Sequence, residues 1–207
     1  MLEHLPALNS QRIILASASP RRRELLQQIG LKFQVLRHQV VESGFEENLP
    51  KTSAGEYAQR TALHKALDVA RSMHGKFDLI IAADTVVQVG DRILEKPNDD
   101  EHAAEMLESL SGRRHQVCTG VVLLTLHGEP TSFVEMTDVF FASLTTAGIE
   151  AYIATGESRG KAGAYGIQGA AACFVERIEG CYNNVVGFPI FAFSKTVARL
   201  VGKEKLG

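Results

Sequence analysis

The segment ASASPRRRELL, residues 16–26, joins an apolar run to a helical pattern and sets three arginines at the join. A helix N-terminus presents free backbone N–H groups and the positive end of the helix dipole. Cations are disfavoured there unless an anion sits on them. With the hydroxyls of Ser17 and Ser19 as further donors, Arg21, Arg22 and Arg23 make a seat suited to a polyphosphate. A solvated basic turn would have the same composition, and one of the three arginines is expected to face water. In AADT, residues 82–85, an apolar run ends in Asp84. A carboxylate at the C-terminal end of a buried strand is where open α/β sheets carry chemistry, although a capping aspartate reads the same. Lys65 lies within a helical pattern, Lys96 in LEKP and Glu42 in a polar loop; each is also an ordinary surface residue type. In YGIQG, residues 165–169, glycines flank Gln168. Its amide offers a donor and an acceptor together, as reading a base edge requires, unless it merely caps a tight turn.

Familiar alternatives are missing. The sequence has no G-x-x-x-x-G-K-[ST], no G-x-G-x-x-G after a strand and no D-x-D-x-T. Its seven histidines lack H-E-x-x-H spacing.

The elements that must position these residues follow from periodicity. RIILA predicts a buried strand over 12–16, and SPRRRELLQQIG a helix capped by Ser19, with Pro20 in its first position and Gly30 at its end. A strand is expected at 32–38 and a loop at 39–52. Ser53 and Glu56 have capping-box spacing before a helix over 54–73. DLIIAAD predicts a central strand over 78–84, followed by a hairpin turning at Gly90-Asp91. Asn98 and Glu101 are expected to cap a helix that runs to about residue 110. Two strands follow, over 115–127 and 131–143, then a helix over 146–154, a glycine-rich loop over 161–169, the strand CFVERI and a last helix over 189–201. Interleaved strands and helices with a hairpin-rich middle predict α/β with a mixed sheet.

The 207 residues are 45% hydrophobic and 22% charged, with a net charge of −2, which suits one globular domain and disfavours nucleic acid as a stable partner. No window reaches the ~18 apolar residues of a membrane span. Cys118, Cys173 and Cys181 lack C-x-x-C spacing and fit reduced thiols in a soluble cytoplasmic protein.

In chain order, LASASPRR, Glu42, ALHKA, AADT, LEKP, LSGRRHQVCTG, GKAGAYGIQG and NNVVGFP together resemble the Maf family of nucleoside triphosphate pyrophosphatases. The resemblance covers about residues 11–200 and implies a single Maf-like domain within 1–207. The implied fold is a Maf/ITPase-like α/β fold, with a mixed, hairpin-containing twisted sheet flanked by helices and two lobes around a nucleotide cleft. The implied activity is hydrolysis of nucleoside triphosphates to the monophosphate and pyrophosphate with a divalent cation, Mg²⁺ or Mn²⁺. By resemblance, Arg21 and Arg22 bind triphosphate, Ser17 and Ser19 lie on its phosphate side, and Asp84 is the proton acceptor. Glu42, Lys65 and Lys96 line the cleft, and Arg21, Thr85 and Gln168 govern substrate choice. YGIQG is similar to the subfamily acting on dTTP and UTP. A homodimer is compatible with the resemblance. The sequence departs from the family at Gly160, where an acid often precedes the lysine of KAG; the change is expected to affect a local salt bridge and not the chemistry.

On this reading water attacks the α-phosphorus. Asp84 activates it directly or by holding the metal, Glu42 shares the metal, and Gln168 faces the O4 and N3–H edge of uracil or thymine. A rival reading is a non-catalytic nucleotide-binding regulator of cell division; the water-activating Asp84 argues against it.

Overall fold

A computed structural model describes residues 1–36 and 53–202. A 3₁₀ turn, Leu2–His4, leads into α1 (Leu5–Asn9), β1 (Ile13–Ala16), α2 (Pro20–Gln28), β2 (Gln34–Leu36) and α3 (Ala54–Met73). The chain continues through β3 (Leu79–Val89), β4 (Arg92–Leu94), α4 (Asp100–Leu110), β5 (Arg114–Thr125), β6 (Thr131–Phe141) and α5 (Thr146–Ala154). Two 3₁₀ turns, Ala162–Ala164 and Ala170–Phe174, precede β7 (Val175–Glu179), α6 (Tyr182–Val186) and α7 (Ile190–Val201).

The seven strands form one mixed sheet in the order β2-β1-β3-β5-β6-β7, with β4 paired to β3. β1 pairs in parallel with β2 and with β3, in register Ile13↔Leu79 to Ala16↔Ala82. Every side chain of β1 is buried, as is each of the first five of β3, which is why both read as unbroken apolar runs. β3 turns at Gly90-Asp91 into antiparallel β4, with Val89 opposite Arg92 and Gly90 at φ +56°. β6 and β7 are also antiparallel, with an irregularity between Phe140 and Phe141.

Two compact units divide the chain. One comprises Met1–Asp84, Thr119–Glu135 and Gly187–Gly207. Its core joins Ile14, Ala16, Ile80, Ala82 and Val122 of the strands to Ala62, Ala66 and Val69 of α3. The small residues of α3 let the helix lie close to the sheet. At Gly120 an added Cβ would come within 2.3 Å of Gln59 N and 2.5 Å of the Ala58 carbonyl carbon, so only glycine permits this approach. The other unit comprises Thr85–Cys118 and Met136–Val186. Its core brings Met106, Leu107 and Leu110 of α4 together with Val117, Val139, Phe141, Tyr152 and Tyr165.

Several expectations shift in detail. α4 is capped by Asp99, which accepts from His102 N at 2.7 Å, not by Asn98: the carboxylate one residue later reaches the open N–H. The strand expected to end at Asp84 runs on to Val89. Two short helices, α1 and α6, had no pattern to announce them. Asn9, the last residue of α1, donates to Gly30 O at 3.0 Å and accepts from Lys32 N at 2.8 Å, fastening that helix to the chain beyond α2.

Candidate functional site

The β1–α2 junction is organised around two serines. Ser19 caps α2, accepting from Arg22 N at 3.4 Å, and Pro20 takes the first helical position. Ser17, buried, accepts from Ser19 N and from an Nη of Arg22, both at 3.2 Å. The Arg22 guanidinium also donates through Nε to Gly187 O at 3.0 Å. Arg22 is therefore a buried cation fixed in orientation. Burial lowers its pKa from the ordinary arginine value; the charge of Asp84 opposes the shift and that of Arg21 adds to it. Arg21 is half-buried and Arg23 is exposed, so Arg23 is the arginine of the triplet that faces water.

Asp84 sits inside β3 rather than at its end, yet the logic of its position survives. β1 stops at Ala16, opposite Ala82, so β3 outruns its parallel neighbour and Asp84 lies two residues beyond the last parallel pair. Lys65, from the middle of α3, donates to Asp84 Oδ1 at 2.7 Å. Their side chains are only 13% and 15% exposed. Lys65 is thus no solvent-facing helical lysine. It is paired with Asp84 where little water reaches either side chain.

Among the described residues, no group of three or more His, Cys, Asp or Glu is arranged to hold a metal. Glu42, expected to share a metal with Asp84, lies outside the described residues. One carboxylate beside buried hydroxyl and cationic groups is not a protein cage of the kind calcium takes. It fits Mg²⁺, which keeps several waters and is held by one or two carboxylates plus substrate phosphates. Asp84 therefore fits a divalent cation.

Thr85, half-buried, follows Asp84 on β3, and Lys96 is exposed two residues beyond β4. Gln168 is exposed between buried Ile167 and half-buried Gly169. Gly169 N donates to Gly166 O at 3.0 Å, so Gln168 stands on a tight turn. Hydrogen bonds join Ser17, Ser19 and Arg22, and join Lys65 to Asp84.

Residues without a role in the sequence reading prove structurally prominent. His115, from LSGRRHQVCTG, is 2% exposed and lies 2.8 Å from the Tyr165 hydroxyl. Burial pushes its imidazole down to about 4, against the Arg113 backbone and the Asp138 charge. Asn184, from NNVVGFP, is buried and donates to Val117 O at 2.9 Å and to Thr137 Oγ1 at 3.0 Å. Both stood inside quoted motifs, but a side chain facing its own core gives no chemical signal in sequence. Gly160 holds φ +67° with open space where a Cβ would stand, so glycine here serves a left-handed backbone. Lys161 instead bonds the Glu157 carbonyl.

No described helix is long and apolar enough to cross a membrane. The fold has a solved counterpart in a HAM1 protein from Coxiella burnetii, at 14% identity and a TM-score of 0.50, covering 91% of this chain and 99% of that one. Among relatives, a dTTP/UTP pyrophosphatase of a Geobacillus species is 49% identical over 191 residues, covering 92% of this chain and 98% of the relative. A dTTP/UTP pyrophosphatase of Acetivibrio thermocellus is 48% identical, covering 86% and 90%. The family model described as Maf-like protein matches residues 12–200. With the serine–arginine junction, the Asp84 strand and the glutamine turn all inside that match, the chain belongs to the Maf family.

Proposed function

We propose that this protein hydrolyses nucleoside triphosphates, dTTP and UTP before others, to the nucleoside monophosphate and pyrophosphate, and that residues 11–200 act as one domain in doing so. The observation that carries the reading is the Lys65–Asp84 pair beside the fixed Arg22, at the end of the parallel-paired strands, in a chain 49% identical to a relative named for this reaction. A binding-only regulator has no use for a carboxylate held so. The three free thiols fit a reducing, cytoplasmic setting.

In the proposed reaction, the oxygen of water forms a bond to the α-phosphorus while the bond from that phosphorus to the bridging oxygen breaks. Pyrophosphate leaves with the electron pair. Asp84 takes the proton of the attacking water, and Lys65, bonded to Oδ1, fixes the carboxylate's orientation. Arg21, Arg22 and Lys96 compensate the charge that grows on the leaving group, and Ser17 and Ser19 add hydroxyl donors on the phosphate side. Arg22 needs little reorganisation, because Gly187 and Ser17 already set its plane. A divalent cation, held by Asp84 and Glu42, supplies further charge neutralisation when bound. Thr85 and Arg21 contribute to substrate choice. Gln168 reads the O4 and N3–H edge of uracil and thymine, which cytosine reverses, so that CTP meets a donor with a donor and an acceptor with an acceptor.

Single-turnover hydrolysis of UTP in ¹⁸O-water tests this reading. Attack at the α-phosphorus puts the label in UMP. Label in the pyrophosphate contradicts it.

A further inference from the structure

The turn that carries Gln168 is fastened on both sides by residues that the reaction above does not use. Gly169 N bonds Gly166 O at 3.0 Å, so Ile167 and Gln168 are the two central residues of the turn, the first buried and the second exposed. On the leading side, the buried Tyr165 hydroxyl lies 2.8 Å from His115 Nε2, and Gly166 N donates to the Tyr152 hydroxyl at 3.3 Å. On the trailing side, Ala170 N donates to Glu157 Oε2 at 3.0 Å. Ala170 opens the 3₁₀ turn Ala170–Phe174, whose own N-cap is Gly169, a residue with no side chain to offer. Glu157 supplies the missing acceptor from the chain after α5.

Gly169 makes this possible. A Cβ there would lie 1.9 Å from Glu157 Oε2 and 2.6 Å from its Cδ, so the carboxylate occupies the space that any larger residue would fill. Glu157 is itself anchored: its N–H donates to Thr155 Oγ1 at 3.2 Å, and its carbonyl accepts from Lys161 Nζ.

Holding this turn matters for discrimination. Which atoms of a base edge the Gln168 amide can reach depends on where the turn places its Cα and along which direction the side chain leaves it. A turn held at both ends limits the poses in which the amide can accommodate the wrong edge. We propose that Glu157 is a positioning residue for base selection, pinning the trailing end of the Gln168 turn while the His115–Tyr165 contact pins the leading end. This rests on the reading of Gln168 given above.

The test is the ratio of kcat/KM for UTP over CTP in the wild type, Q168A, E157A, E157Q, G169A and the double variant Q168A/E157A. Q168A is expected to collapse the ratio. E157A is expected to lower it by about tenfold, through the KM for UTP with kcat nearly unchanged. E157Q keeps an acceptor oxygen for Ala170 N and restores most of the ratio. G169A evicts a flexible carboxylate without striking backbone, so it reproduces E157A. In the Q168A background, E157A changes the ratio no further. Wild-type ratios in E157A and G169A, beside a lowered one in Q168A, overturn the positioning role alone. An equal loss on every nucleotide, with the ratio kept, also overturns it. An unchanged ratio in Q168A overturns the reading of Gln168, and the positioning role with it.

Discussion

Lys65 Nζ, from the middle of α3, lies 2.7 Å from Asp84 Oδ1 on β3, and both side chains are largely withdrawn from water. A pair of this kind holds its carboxylate in one orientation, which a residue that must meet a water molecule in line requires. Asp84→Asn is nearly isosteric and should leave the far-ultraviolet circular dichroism unchanged, while kcat falls by about 10²–10⁴-fold, the usual worth of a positioned base. Lys65→Met lowers kcat as well, but adds little on top of Asp84→Asn, because the two act as one unit. A double-mutant cycle on kcat checks this; additive losses would separate the two residues.

Arg21 and Arg22 differ in kind. Arg22 reaches Gly187 O and Ser17 Oγ with two arms of one planar fork, which a lysine cannot reproduce. Arg22→Lys is expected to destabilise the fold by about 1.5–3 kcal/mol, the scale for hydrogen bonds to a charged group, and to raise the KM for nucleotide. Arg21→Lys raises KM with little change in Tm, and exposed Arg23→Ala changes neither. Thermal melts beside Michaelis curves of the three variants decide the matter.

The buried His115 makes stability depend on pH. Its imidazole is neutral in the fold down to about 4, against 6.5 ordinarily. Between those values the unfolded chain binds a proton that the folded chain refuses. Stability present above 6.5 is therefore lost as pH falls toward 4, by about 3 kcal/mol in all. His115→Gln, which cannot titrate, should flatten this part of the stability–pH curve. Urea unfolding at pH 7, 6, 5 and 4.5 measures the slope in both proteins.

Gly120 is required by the backbone of α3. An added methyl meets Gln59 N at 2.3 Å, and main-chain atoms cannot step aside as a flexible side chain can. Gly120→Ala should cost about 1–3 kcal/mol, the usual price of overpacking. Gly156→Ala, with open space but φ +75°, should cost less, about 1 kcal/mol. The urea midpoints of the two variants give the order.

Much of this was legible in the residues themselves. Apolar runs marked β1 and β3, Gly90-Asp91 marked the hairpin, and Ser53 and Ser19 marked helix starts because each signal is local. Asp84 was legible as a candidate, but its place two residues beyond the last parallel pair depends on where β1 stops, which only pairing reveals. Lys65 looked like any helical lysine until the fold turned it toward a carboxylate. Glu157 gave no sign at all. Its role depends on an empty Cβ position at Gly169 and an unfilled cap at Ala170, a coincidence in space rather than in sequence. The short helices α1 and α6 carry too few residues for periodicity to register.

The central claim is that a pyrimidine triphosphate is cut between its α- and β-phosphates. A panel of canonical and modified nucleoside triphosphates, with Mg²⁺ or Mn²⁺ and with pyrophosphate and orthophosphate followed separately, addresses it most directly. The account predicts pyrophosphate with UMP from UTP and with dTMP from dTTP, and little product from CTP or purines. Orthophosphate as the first product, or nucleotide binding with no turnover on any member of the panel, would contradict it.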